Sequence, residues 1–283
     1  MRIQGRRILM LLALCAVLTA FTSSNTVLSD LDRLTLYGKV KSMMVTRYTV
    51  SGKGKNMEKN MVLFQELTYF DIDGFETESA IFKDGKEYLT SRYEFNYLGR
   101  QSVSNQYLAD GRLNLNIEYL YNSDTLRSEA IYHWSDDRIV EGICEEFDYR
   151  YDILVNELFS RVIYKYEYRG YCTGETYLKP DSSVSFNITS KYDFRGNRLE
   201  SAYFRGNGGL AWMTKYTYDR YDHLIESRVF KDNRIAVKST YTYQFDDKKN
   251  WLSRLENREV FVNILTAGLE QSDILTERII EYY

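Results

Sequence analysis

Proline is almost missing from this chain: Pro180 stands alone among 283 residues. Proline breaks strand ladders, so its scarcity leaves room for long uninterrupted strands and argues against a Pro-rich linker or a low-complexity segment. Histidine is nearly as scarce, with His133 and His223 only. Neither stands in a cluster with the Cys or His spacing of a zinc site. Three cysteines, Cys15, Cys144 and Cys172, are too few for a disulfide framework. Basic residues do not dominate either: 37 Lys and Arg face 40 Asp and Glu, a formal charge of −3. A chain without a concentrated basic footprint is not a nucleic-acid binder. The single long apolar run, Ile8 to Phe21, falls short of the roughly 20 residues a transmembrane helix needs.

That run has a different meaning. Arg2, Arg6 and Arg7 precede it and Thr22-Ser23-Ser24 follow it, the layout of a secretory signal covering residues 1–24. Loss of this segment leaves 34 basic against 40 acidic residues. The expected location is therefore outside the cytoplasm: periplasm, outer-membrane surface or extracellular space. Leu12-Ala13-Leu14-Cys15 also resembles a bacterial lipoprotein box, although Leu14 stands where a small residue belongs, so Cys15 is a candidate lipidation site. In the remaining body Cys144 and Cys172 are a candidate disulfide pair or two buried thiols, and spacing leaves both open.

What the chain has in quantity is aromatics, 15% of residues, with 26 Tyr. They recur. Phe70, Phe95, Tyr121, Tyr149, Tyr166, Tyr192, Tyr218 and Tyr243 lie mostly 25 to 28 residues apart. A turn-forming Asp or Asn often follows, and Gly74, Gly99, Gly170 or Gly196 stands four residues on. Twelve past the anchor comes Phe82, Tyr107, Phe204 or Phe230, then a hairpin signal such as Asp84-Gly85, Asp110-Gly111 or Asp232-Asn233. Such a period marks a repeat architecture. The fold expected is all-β: an antiparallel β-meander of about eight hairpin repeats, forming one extended, curled sheet over residues 34–283. Val40 to Val50 reads as the first strand and Arg278 to Tyr283 as the closing one. Trp251 onward loses the pattern, and Glu256 to Asp273 reads as a short helix or a long loop.

Tyr192-Asp-Phe-Arg-Gly-Asn197 and Tyr216-Thr-Tyr-Asp219 resemble the YD repeats of RHS-type bacterial proteins. Val40-Lys-Ser42 and Asn250-Trp251 are similar to segments of secreted YD-repeat-like proteins of Bacteroidota. The resemblance implies an antiparallel β-repeat array at the cell envelope, with no catalytic residues to carry over.

Chemistry is thin. His133 occupies a slot other copies fill with Phe or Tyr, and His223 sits in a turn beside Asp222. Asp71-Ile-Asp73-Gly74 begins like a calcium loop, but its twelfth position is Phe82 rather than a bidentate Glu. Glu141, Glu145, Glu146 and Asp148 are the densest acids and a candidate glycosidase pair, or a solvated strand face. Trp134, Trp212 and Trp251 are candidate sugar-stacking aromatics, or members of a tyrosine ladder. The expectation is a non-catalytic, cofactor-free envelope protein, structural or binding protein or glycan through an aromatic sheet surface. A glycan hydrolase and a toxin-related or immunity partner are the alternatives.

Overall fold

The computed structural model describes residues 31, 34, 36–52, 54–122, 127–134, 160–261 and 273–283. The signal segment with Cys15, the anchor Tyr149 and the acids of 141–148 lie outside the described residues. Sixteen strands follow in order. The first eight are β1 (Val40–Ser51), β2 (Glu58–Phe70), β3 (Glu76–Lys83), β4 (Lys86–Phe95), β5 (Gln101–Leu108), β6 (Leu113–Tyr121), β7 (Arg127–Trp134) and β8 (Arg161–Tyr166). The second eight are β9 (Cys172–Leu178), β10 (Val184–Tyr192), β11 (Arg198–Arg205), β12 (Leu210–Tyr218), β13 (Leu224–Lys231), β14 (Arg234–Phe245), β15 (Trp251–Val260) and β16 (Asp273–Tyr282).

Each strand pairs antiparallel with its sequence neighbour, and β1 pairs with β16 from Val40↔Tyr282 to Val50↔Asp273. The sheet is a closed barrel of sixteen strands, not the open, curled sheet of eight repeats that the period suggested. The recurring aromatics explain why it curves. Six anchors, Phe70, Phe95, Tyr121, Tyr166, Tyr192 and Tyr218, sit at register shifts with the next strand. Phe82, Tyr107, Phe204 and Phe230 mark further shifts at the other end of their strands. A bulge bends its strand and increases the twist, which is what closure of a wide sheet requires. In the last copy the shift falls at Phe245, so the true anchor lies two residues beyond Tyr243. The Tyr hydroxyls hold these bulges: Tyr121 Oη donates to Gln101 O (2.7 Å), Tyr218 Oη to Arg198 O (3.1 Å) and Tyr243 Oη to Leu224 O (2.8 Å).

Residues 251–260 form a regular strand, correcting the helix or loop expected over Glu256 to Asp273 as far as Val260; residues 262–272 lie outside the described residues. The apolar alternation fades there because Arg254 and Glu256 occupy the inward, buried positions.

Alternate residues in a barrel strand face in and out. A belt of small hydroxyl residues lies on the inward face, with Thr68↔Ser79, Ser79↔Ser91, Ser190↔Ser201, Ser201↔Thr214 and Ser227↔Ser239 as direct partners, all buried. Small residues leave room for rings from neighbouring strands. Thus Tyr93 Oη meets Ser79 Oγ at 2.9 Å and Tyr241 Oη meets Ser227 Oγ at 3.2 Å. A second apolar cluster, Leu31, Leu36, Val40, Met43 and Phe70, packs the N-terminal lead against the barrel.

The two mouths differ. At one, the turns joining β2–β3, β4–β5, β10–β11, β12–β13 and β14–β15 share a plan, in which a side-chain oxygen of the Asp or Asn at i caps the turn, while the β8–β9 turn opens on Glu167, paired with Arg169. Asp193 Oδ1 accepts from Arg195 N (2.8 Å) and Asn197 N (2.9 Å), and Asp219 Oδ1 from Tyr221 N (2.8 Å) and His223 N (2.9 Å). Asn96 does the same for Leu98 and Arg100 without a charge. Burial alone would raise the Asp219 carboxyl, but the N–H donors of His223 and Tyr221 outweigh it and hold it below the ordinary 3.8. A carboxyl depressed in this way adds stability that is complete above 3.8 and is lost as pH falls through the folded value. Asp219→Asn should therefore keep the turn, as Asn96 does. Its thermal midpoint should match the wild type at neutral pH and fall less on acidification below that range. An acid limb as steep as the wild type's would contradict this assignment.

Candidate binding surfaces inside and outside the barrel

The inward face between β1, β15 and β16 is ionic as well as aromatic. Glu256, 2% exposed, accepts from Ser239 Oγ (2.8 Å) and from Arg258 Nε (2.7 Å). Arg254, also buried, places its guanidinium 5.5 Å from the Tyr241 ring and 5.3 Å from the Trp251 ring. Arg278 lies 3.5 Å over the same indole. Trp251 is thus a half-buried platform between two guanidinium groups, a cation–π arrangement rather than an open stacking face.

Across the barrel, one row of aromatics spans four adjacent strands. Tyr177 and Phe186 stack at 4.0 Å, Phe186 and Tyr203 at 5.0 Å, and Tyr203 and Trp212 at 4.1 Å with planes only 4° apart. Tyr177 Oη donates to the buried Glu175 Oε2 at 2.8 Å. Burial alone would lower the nearby Arg198 guanidinium, but Tyr192, Tyr216 and Glu175 raise it above its ordinary value and keep it charged. Of the three tryptophans, Trp212 ends this ladder and Trp251 sits in the ionic cluster. Trp134 ends β7 opposite Leu115 in the ladder. The structure does not bring the described pair, Trp212 and Trp251, into one site: they stand on β12 and β15, in separate ring clusters. Cys172 opens β9, its Sγ 3.4 Å from Gly174 O, while Cys144 lies outside the described residues.

The outward face carries exposed ion pairs. Cross-strand ion pairs join Glu78 to Arg92 (3.0 Å), Lys191 to Glu200 (2.7 Å), Lys238 to Glu226 (3.4 Å), Lys59 to Glu277 (2.6 Å) and Lys41 to Glu281 (3.1 Å). Arg161 pairs with Glu129 on the same face. His133 is exposed there too, 3.8 Å from Glu118. His223 packs among Tyr243 and Phe245 and sets Nδ1 3.2 Å from Asp219 Oδ2, so its place is in the turn. Asp71 Oδ1 accepts from Asp73 N (3.0 Å) and Phe75 N (2.9 Å), the same cap as in the other turns. Sequence reasoning missed the Ser–Tyr pairs and the Arg254–Glu256–Arg258 group. The first had a signal in the fourteen-residue spacing of Ser79 to Tyr93 and Ser227 to Tyr241.

No protein family matches the chain, and no curated protein matches it. Among solved structures it is similar to a porin-like protein from Bacteroides uniformis, with a TM-score of 0.53 and 10% identity, covering 86% of this chain and 98% of that one. A porin-like protein from Bacteroides vulgatus is 12% identical with a TM-score of 0.43, covering 87% and 99%. The likeness to the first is one of fold. It replaces the YD/RHS resemblance: the residues that carried that resemblance serve barrel closure instead. Val40 and Ser42 pair with Tyr282 and Glu281, and Asn250 bridges Tyr37 to Tyr282.

Proposed function

We propose that this chain is an exported, non-catalytic envelope protein whose barrel stands in water and serves as a structural or binding scaffold for protein or glycan. The observation that carries this reading is the charged outer wall. A barrel that spans a bilayer turns an apolar band about 25 Å tall toward lipid, and a charge at the midplane costs about 2–4 kcal/mol. Here Glu78, Arg92, Glu129, Arg161, Lys191, Glu200 and Glu226 ring the outside within the strands. The porin-like name belongs to the neighbour; this wall suits an aqueous compartment. The signal-like N-terminus supports export. The inward aromatic and ionic lining supports a scaffold held rigid by its own side chains.

The test is folding without lipid. Residues 25–283 produced without detergent should be monomeric or of defined size, show a β-sheet spectrum and unfold cooperatively. They should give no channels in planar bilayers. A chain that folds only in detergent and conducts ions would overturn the reading. Glycan arrays and an envelope pull-down with the same material then decide between binding and a purely structural role, and turnover of a polysaccharide would remove the non-catalytic part.

A further inference from the structure

The two mouths of the barrel present different tips. Five tight turns of one mouth have polar tips: Asp84-Gly85, Asp110-Gly111, Asp181-Ser182, Asn207-Gly208 and Asp232-Asn233. At the other mouth five turns, four capped by Asp or Asn and one opening on Glu167, carry a large apolar residue exposed to solvent. Tyr97 and Tyr168 are each 94% exposed, Phe194 80%, Tyr221 63% and Ile72 52%. One exposed ring needs no explanation, but its recurrence in five turns of one mouth does; at the other mouth the exposed large apolar residues include Phe261, after β15, and Met61 and Val62, within β2.

We propose that this mouth is a membrane-docking rim, whose five apolar tips enter the headgroup region of a bilayer while the charged wall stays in water. Three observations select a bilayer over a protein surface. Tips on neighbouring hairpins stand two strand spacings apart, about 10 Å, with polar turn backbone between them. A folded partner packs best against a contiguous apolar centre, whereas separate prongs suit a fluid interface that fills in around each one. Tyr and Phe at headgroup depth, three of the four rings with a neighbouring guanidinium, match the amphipathic chemistry of that layer. Arg169 lies beside Tyr168, Arg195 beside Phe194 and Arg220 beside Tyr221. The rim is also rigid before it meets a ligand. Arg169 Nη1 donates to Asp193 O (2.9 Å), and Arg195 Nη1 donates to Arg220 O and Asp222 Oδ1 (3.1 Å each).

The third observation is the path of the chain. Leu31 N donates to Gly74 O (3.1 Å), in the turn that carries Ile72. The segment holding the apolar run and Cys15 therefore joins the body at this mouth. Acidic turn residues offset the rim's arginines, so apolar insertion dominates over charge attraction.

The inference rests on the aqueous-barrel reading, and its test separates the two. Residues 25–283, which carry no lipid anchor, are floated with vesicles of phosphatidylethanolamine and phosphatidylglycerol. The wild type should float with the vesicles and remain bound in high salt. The variant Tyr97→Ser/Tyr168→Ser/Phe194→Ser/Tyr221→Ser should keep the β-sheet spectrum and lose at least about tenfold in bound fraction. A detergent-free, folded wild type that does not float overturns the rim alone. So does a variant that floats equally well, or a dimer that the substitutions dissolve while vesicles are ignored. The polar-mouth control, Asp110→Ser/Asp181→Ser, should float like the wild type; if it fails to, docking is not confined to the rim.

Discussion

Glu256→Leu should be among the most damaging single substitutions in this barrel, lowering stability by about 3–5 kcal/mol. The side chain is 2% exposed and accepts hydrogen bonds from Ser239 and Arg258, with Arg254 buried beside it. Leucine fills much of the volume but removes the carboxylate to which Ser239 and Arg258 both donate. Taking a charge out of a buried pair costs far more than the pair's net worth, because the remaining guanidinium keeps its desolvation penalty. For a chain of this size the loss corresponds to a fall of roughly 6–20 °C in thermal midpoint. Glu256→Gln keeps an acceptor for Ser239 and should cost less. The double variant Glu256→Leu/Arg258→Met should recover part of the loss, because it removes both charges at once. A single-variant cost within the few tenths typical of surface positions would show that water reaches the cluster and that the barrel is wet at this seam.

That cluster also shows where sequence reading stops. Strands were legible wherever aromatic and β-branched residues alternated with polar ones, as from Leu113 to Tyr121, which forms β6, and from Leu224 to Phe230, which forms most of β13. In β15 the inward positions are Arg254, Glu256 and Arg258, so the hydrophobic period is absent and the strand was hidden. Only tertiary pairing, Tyr243↔Arg254 and Tyr241↔Glu256, shows that these charges belong to an inward face. Closure was hidden for a related reason. The turn capped by Asp193 and the bulge at Tyr192 are local and repeat visibly. The seam joins residues more than two hundred positions apart, and no local pattern in Val40–Val50 names β16 as its partner.

The same logic applies to the surfaces. A tyrosine directly before a turn reads as part of a ladder, and Tyr218 and Tyr192 are indeed inward. Tyr97 and Phe194 follow the capping residue by one position, Tyr168 follows Glu167, and all three are exposed to solvent instead. Their difference lies in which side of the turn's first residue they occupy, a distinction of two residues. The ion pairs on the outer wall were equally invisible. Glu78 and Arg92, or Lys191 and Glu200, become neighbours only once the hairpin register is known. Register is therefore what converts a list of charged residues into a wall that water must wet.

Asn250→Ala should produce the second large effect, and a more local one. Asn250 is 1% exposed and ties three elements together: its Oδ1 accepts from Tyr37 N (2.7 Å), and its Nδ2 donates to Tyr37 O (2.9 Å) and Tyr282 Oη (2.7 Å). Net contributions of about 0.5–1.5 kcal/mol per bond over these three bonds give a loss of about 3 kcal/mol. Amide exchange should accelerate at Leu36 and Tyr37, where the lead meets the barrel, while β10 and β11 keep their protection. Tyr282→Phe separates the electrostatic part. Tyr282 Oη donates to Asp246 Oδ2 at 2.7 Å. Burial alone would raise the Asp246 carboxyl, but this bond and the Asn250 and Lys248 amides hold it below 3.8. Its stabilisation is complete above that value and disappears as pH falls through the folded one. Burial first, and then the carboxylate, raise the Tyr282 hydroxyl above its ordinary 10.0. The stability this adds is complete below 10.0 and is lost as pH rises through the folded value. Tyr282→Phe should thus flatten both the acid and the alkaline limbs of the stability profile, whereas Asn250→Ala should lower the whole curve. If Tyr282→Phe instead lowers stability equally at every pH, the Asp246–Tyr282 contact is a packing contact and not the charged hinge on which the seam closes.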